Sequence, residues 1–171
     1  MRLTVEESPA VSWGIHLRVP AWCEAAMLAV NGEPIGEDPR PAAYARVHRA
    51  WRASDVVELD LAMPVRRLRG RPRVEATAGR VALARGPLLY CLEQADRPPR
   101  DVWGIVVEPD ATFIAEDAPE LLGGVTVLRG PATRPAGPPV IDRFPIVAVP
   151  YYAWANREPG PMQVWILEAR R

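Results

Sequence analysis

The sequence contains no lysine, so arginine supplies all 21 basic side chains, and 21 aspartates and glutamates balance them to a formal net charge of zero. A chain without net positive charge has no general attraction for nucleic acid or an anionic membrane, and neither is expected as a partner. Cysteine and histidine are also scarce, with Cys23 and Cys91, His16 and His48 making up the whole supply. The cysteines lie far apart, open no CxxC and have no histidine beside them, so no metal site can be built from them. Each histidine alternates with apolar neighbours and reads as a strand-surface residue. No apolar run approaches the roughly 18–20 residues that cross a bilayer, and the N-terminus lacks the basic, apolar and small-residue succession of a signal peptide. The expectation is a soluble chain, cytoplasmic if these residues are all of it. A 3.6-residue apolar period is not sustained beyond about ten residues anywhere. No GxSxG, GxxxxGK[ST] or GxGxxG occurs, which sets aside a serine nucleophile elbow and phosphate-cradling loops.

Proline and glycine are plentiful, at 20 and 12 of 171 residues, and both are poorly placed inside helices, which excludes a helical bundle. Short alternating runs take the place of helices. Ile15, Leu17 and Val19 alternate with Gly14, His16 and Arg18, and Val57, Leu59 and Leu61 alternate with Val56, Glu58 and Asp60. This period of two is what a half-buried antiparallel strand requires. Met27 to Val30 runs into Asn31-Gly32, a dipeptide that takes positive φ readily and predicts a tight hairpin. Arg80 to Leu83 and Leu88 to Glu93 flank Arg85-Gly86-Pro87 as two short strands or one kinked strand. Further β-rich runs cover Trp103 to Val107, Val125 to Leu128, Pro145 to Tyr152 and Gln163 to Leu167, and Glu116 to Leu122 is read as one short helical turn.

The fold class is therefore all-β, an antiparallel β-sandwich in two small units in tandem. Arg97-Pro98-Pro99-Arg100 is taken as the boundary, giving residues 1–97 and 98–171. Residues 129–139 (RGPATRPAGPP) are expected to form an exposed loop, because so many prolines oppose regular pairing.

Four blocks in order carry a family resemblance. They are LRVPAWC at Leu17 to Cys23 with VNG at Val30 to Gly32; WRASDVVELDL at Trp51 to Leu61 with MPVRR at Met63 to Arg67; GRVALARGPLLYCLE at Gly79 to Glu93; and PYYAWANREPGPMQVW at Pro150 to Trp165. Together they resemble the region after the catalytic barrel in glycoside hydrolase family 127, the β-L-arabinofuranosidase family. The resemblance implies two β-sandwiches that follow a helical barrel, the first of them N-terminally incomplete here. It places the chemistry, a zinc-bound cysteine nucleophile and a glutamate acid/base, in that barrel. No catalytic residue and no zinc ligand can be carried over to any position of this chain, and zinc would belong to the barrel. Ser54 stands where the family usually has glycine, which argues against a positive φ there. Glu158 and Pro161 depart from the usual Gly and Glu, so the loop before Met162 is expected to be shaped differently.

The implied role is a non-catalytic accessory region that supports the barrel or mediates dimerisation. Two alternatives remain open: a free-standing carbohydrate-binding module for arabinose-containing glycans, and a subunit of a split β-L-arabinofuranosidase. Possible partners are thus a catalytic barrel domain or chain, a second copy, or a glycan. Glycoside hydrolysis needs two carboxyl groups roughly 5–10 Å apart across a cleft, or an equivalent nucleophile, and Glu58, Asp60, Glu75, Glu93 and Asp96 all fit solvated strand faces or turns instead. Of the six tryptophans, Trp22 and Trp51 are expected to pack between sheets. Trp154, close to Tyr151, is a candidate sugar platform or domain-interface residue. Asn156 and Arg157 either bind a neighbouring domain or hold their own loop. Arg66, Arg67, Arg69, Arg71 and Arg73 form either a docking patch for an acidic partner face or a solvated loop.

Overall fold

The structure, a computed structural model, describes residues 1–36, 39–96, 102–135 and 141–170. In chain order its strands are β1 (Arg2–Thr4), β2 (Trp13–Arg18), β3 (Ala26–Val30), β4 (Glu33–Pro34), β5 (Tyr44–Arg49), β6 (Val56–Leu61), β7 (Val65–Leu68), β8 (Arg80–Arg85), β9 (Leu88–Glu93), β10 (Val106–Val107), β11 (Ile114–Ala118), β12 (Val125–Pro135), β13 (Ile141–Pro150), β14 (Met162–Gln163) and β15 (Ile166–Glu168). Single 3-10 turns occupy Glu75–Thr77, Gln94–Asp96 and Tyr151–Ala153. Among the described residues no helix is long and apolar enough to cross a membrane.

The chain divides into two compact units, Met1–Pro64 and Val65–Arg171. The boundary expected at residues 97–100 lies outside the described residues, and the division falls at Pro64 instead. The reason is pairing. Strands β8 and β9, placed in the first unit by the sequence reading, pair with β15, β13 and β14 and so belong to the second.

The first unit has two sheets, β1-β6-β3-β4 and β2-β5. Alternation decides what each strand buries: Ala26, Leu28 and Val30 of β3, Ala45 and Val47 of β5, Val57 and Leu59 of β6, and Leu17 of β2 turn inward to one cluster. Each fully buried Val or Leu contributes roughly 1.5–3 kcal/mol of transfer free energy. His16 and His48 lie on exposed positions of β2 and β5, as expected. Asn31 and Gly32 take φ of 52° and 81°, the pair of positive values that a type I′ hairpin between β3 and β4 demands. Ser54 overturns its expectation, with φ of 71°. Its N–H bonds the Val5 carbonyl at 2.8 Å. The neighbouring Asp55 carboxylate accepts from Arg52 N–H at 2.8 Å and Asn31 Nδ2 at 2.9 Å. These bonds hold the turn in a backbone region that serine alone disfavours. Trp51 is buried, donates to the Trp13 carbonyl at 3.0 Å and packs on the Trp13 ring at 5.8 Å, while Trp22 is partly buried against the same core.

The second unit departs from a sandwich. Its strands run β14-β9-β13-β12-β10-β15-β8-β7, with β11 on β12, and β8 also pairs with β9. That last pairing closes β9, β13, β12, β10, β15 and β8 into a barrel-like ring, which removes the free edges that an open sheet leaves unpaired. The β10–β15 pair is parallel, also against expectation. Val81, Leu83, Tyr90, Leu92, Ile105, Val107, Leu128 and Ile146 fill the interior.

Residues 129–135 are strand rather than loop, paired residue for residue with 141–147 from Arg129↔Val147 to Pro135↔Ile141. Proline is tolerated because Pro131 faces Pro145, and it lies between the part of β12 that pairs with β11 and Thr133, which pairs with β10. No ladder asks it for a donor there. The remainder of the expected loop, residues 136–139, lies outside the described residues. The expected helical turn from Glu116 is instead the end of β11, and the strand expected from Trp103 is reduced to Val106–Val107, with Gly104 at φ of 70° turning the chain before it.

Candidate functional site

Immediately after β13, the 3-10 turn Tyr151–Ala153 and the Trp154 that caps it present three aromatic side chains to solvent: Tyr151, Tyr152 and Trp154 are 45%, 64% and 39% exposed. The Tyr151 and Trp154 rings stack at 6.1 Å with 28° between their planes. The loop beneath them is tied down at several points. Asn156 Nδ2 donates to the carbonyls of Ala153 and Trp154 at 3.1 and 3.2 Å. Ala155, at φ of 62°, donates its N–H to Glu93 Oε1 at 2.8 Å. Arg157 donates to both oxygens of Asp96 at 2.7 Å each and, from the same Nη2, to Glu93 Oε2. Bonds to Asp96 and then Glu93 raise the Arg157 pKa further against the cost of burial. Asn156 and Arg157 therefore hold their own loop, and the structure brings them together with Tyr151 and Trp154. Sequence reasoning missed Glu93 and Asp96 as their anchors, because 64 and 61 residues separate them from Arg157.

The five-arginine run does not form one free patch. Arg66 Nη2 donates to the Gly86 carbonyl at 2.9 Å. Arg67 bonds Glu168 at 2.9 Å and the Ala111 carbonyl at 2.5 Å, with its guanidinium 5.7 Å from the centre of the Phe113 ring. Arg69 forks onto both oxygens of Glu168 at 2.7 and 2.8 Å. Burial pushes the Glu168 carboxyl up, but the hydrogen bonds from Arg69 and Arg67 outweigh it and hold the group below its ordinary value. Arg69, Arg71 and Arg73 are all exposed, and of these Arg69 is paired with Glu168. Arg66 thus reaches a backbone carbonyl, while Arg67 and Arg69 reach an acid 101 and 99 residues away.

Acid–base chemistry on a sugar needs carboxyl groups free to exchange a proton. Glu93, Asp96 and Glu168, with side chains 5%, 13% and 14% exposed, are each held by arginine. Glu108 and Asp110 line one depression with Thr133 and Arg143, but both rise from a single β-turn closed by Ala111 N–H to the Glu108 carbonyl at 3.1 Å, rather than from opposite walls. Glu58 and Asp60 share the outer face of β6, with Leu59 between them in the core. A zinc–thiolate centre does not fit either. Cys23 Sγ donates to the Ala25 carbonyl at 3.0 Å. Cys91 is 1% exposed, and burial, with the negative charges of Glu93 and Asp96 adding to it, pushes its thiol up to about 12. Such a thiol stays protonated and is a poor ligand and nucleophile. Among the described residues no group of three His, Cys, Asp or Glu is placed to share a metal ion.

Comparison with known proteins agrees with this two-part architecture. Residues 1–63 match the beta-L-arabinofuranosidase GH127 middle domain and residues 65–167 match the glycoside hydrolase family 127 C-terminal domain, so the family's own division coincides with the division at Pro64. A non-reducing end β-L-arabinofuranosidase of Bifidobacterium longum subsp. longum is 38% identical over 174 residues, covering 87% of this chain and 25% of that protein. The crystal structure of a GH127 β-L-arabinofuranosidase from Geobacillus stearothermophilus T6 superposes with a TM-score of 0.83 at 39% identity, over 98% of this chain and 28% of that one. A structure described as a glycoside hydrolase gives a TM-score of 0.86 at 34% identity, over 99% of this chain and 30% of that one. The chain thus spans a quarter to a third of the length of these relatives. With both of its units matched in order, the chain belongs to glycoside hydrolase family 127, as that family's middle and C-terminal domains.

Proposed function

We propose that these residues form a non-catalytic accessory region of a family-127 glycoside hydrolase, supporting the part of such an enzyme that breaks the glycosidic bond or mediating its dimerisation. One observation carries the reading. The carboxylates most shielded from water are already committed to internal partners, Glu93 and Asp96 to Arg157 and Glu168 to Arg67 and Arg69; the Cys23 thiol donates to the Ala25 carbonyl, and burial holds the Cys91 thiol protonated. A general acid needs a carboxyl free to exchange its proton near neutral pH, with a second acid facing it across the sugar. A carboxylate locked under a guanidinium holds its charge instead, and the Glu168 shift is in that downward direction.

The role is mechanical. Two β units with apolar cores supply shaped surface, and the arabinofuranoside chemistry of the relatives belongs, on this reading, to a segment outside the matched quarter. The zinc implied by the family would likewise be held elsewhere. Equilibrium dialysis of the purified chain against micromolar zinc under reducing conditions tests the reading. No retained metal is expected, and stoichiometric retention abolished by replacing Cys23 or Cys91 would overturn it.

A further inference from the structure

Surface aromatics are common, but three within four residues on a backbone held this firmly call for an explanation. Tyr151, Tyr152 and Trp154 lie 39% to 64% exposed, and neither the Trp154 indole N–H nor the tyrosine hydroxyls find a hydrogen-bond acceptor among the described residues. The fold commits the buried Glu93, the partly buried Asp96, one arginine and one amide side chain to fixing the loop that carries them. It also places Ala155 at a positive φ, which costs a non-glycine residue about 1–2 kcal/mol. A loop that merely reversed the chain would need neither the strain nor the aromatic display. Backbone strain over-determined by surrounding bonds is characteristic of sites that present side chains to something else. Large rings with unused polar tips, immobilised before any contact, have the composition and preorganisation of interface hot spots.

We infer that Tyr151, Tyr152 and Trp154 form a docking shelf for the bond-breaking part of a family-127 polypeptide, and that this shelf anchors the accessory region to it. The inference rests on the accessory reading and names its surface. The occupant follows from two facts. Chains that share both of these domains at 34% to 39% identity are three to four times longer, so in them this surface has further polypeptide available to cover it. The charged groups beneath the shelf are engaged with one another, which leaves ring faces and neutral donors outward and suits a mostly apolar protein surface with carbonyl acceptors.

The test uses the full chain, wild type and a Tyr151→Ser/Trp154→Ser double variant. Each is mixed with the part of the Bifidobacterium longum relative that this chain does not match, and complex formation is followed by analytical ultracentrifugation. Each is also titrated with arabinose oligosaccharides in a calorimeter. The wild type is expected to form a complex that the variant weakens about tenfold or more, with the variant's melting temperature unchanged because the replaced rings lie at the surface. A complex of equal strength with both proteins would leave the accessory role standing and overturn the shelf. Absence of a complex with either would overturn the role and the shelf together. Sugar binding that disappears in the variant would make the shelf a glycan platform and overturn its assignment to a protein partner.

Discussion

Arg157 and Glu93, 64 residues apart in sequence, meet as an ion pair with side chains only 19% and 5% exposed, and Asp96 completes the grip on the guanidinium. This contact ties the loop after β13 to the end of β9. Removing one partner of a buried pair leaves the other charge without compensation, which costs about 3–5 kcal/mol. Arg157→Ala is accordingly expected to lower unfolding stability by that amount in urea titrations followed by tryptophan fluorescence. A loss below about 1 kcal/mol, the size of a surface pair, would show that the contact is dispensable.

Glu168 makes stability depend on pH with a defined sign. Its folded pKa lies below the ordinary value of 4.5, so the folded protein holds this proton less tightly than the unfolded chain does. The contribution is complete above the unfolded pKa and is lost as pH falls through the folded one. Glu168→Gln should cost about 2 kcal/mol near neutral pH, where hydrogen bonds to a charged group are removed. The gap between variant and wild type should close in acid. Melting curves across an acid series decide this, and a gap that stays constant to the lowest pH would contradict the assignment.

Ser54 sits at φ of 71° without glycine's freedom. Replacing it with glycine removes the left-handed penalty of about 1–2 kcal/mol and restores about 0.5–1 kcal/mol of unfolded-state entropy. A net gain of about 0.5 kcal/mol is expected for Ser54→Gly by thermal unfolding. Destabilisation would mean that the serine side chain makes an interaction that outweighs the strain.

At Gly130 the constraint is space. A Cβ there would stand 2.5 Å from Phe113 Cδ1 and 2.7 Å from Cε1, and the ring is part of the core. Gly130→Ala should lose about 1–3 kcal/mol through overpacking. Adding Phe113→Leu should make the double variant more stable than the sum of its single losses predicts, since the two sites share one contact. Strict additivity would place the damage elsewhere.

What the sequence disclosed and what it hid follow from the range of the forces involved. Period-two runs such as Val57–Leu59 and the Asn31-Gly32 turn are local, and they appear in the structure where the pattern puts them. The proline-rich run from Arg129 was misread because what stabilises it is a partner strand whose register places Pro131 opposite Pro145, a non-local fact. The conspicuous prolines near residue 98 drew the domain boundary away from the single Pro64, although only pairing of β8 and β9 with later strands settles it. The aromatic cluster was legible as a run of residue types. Its anchors were not, since nothing near Arg157 in sequence announces Glu93 or Asp96. The arginine run likewise looked like free charge because Glu168 lies about 100 residues downstream.

If the bond-breaking groups lie outside these residues, the purified chain should leave aryl β-L-arabinofuranosides intact. In initial-rate assays with zinc and a thiol reductant present, release no faster than the enzyme-free blank is expected, and saturable turnover that co-elutes with the chain would refute the accessory role.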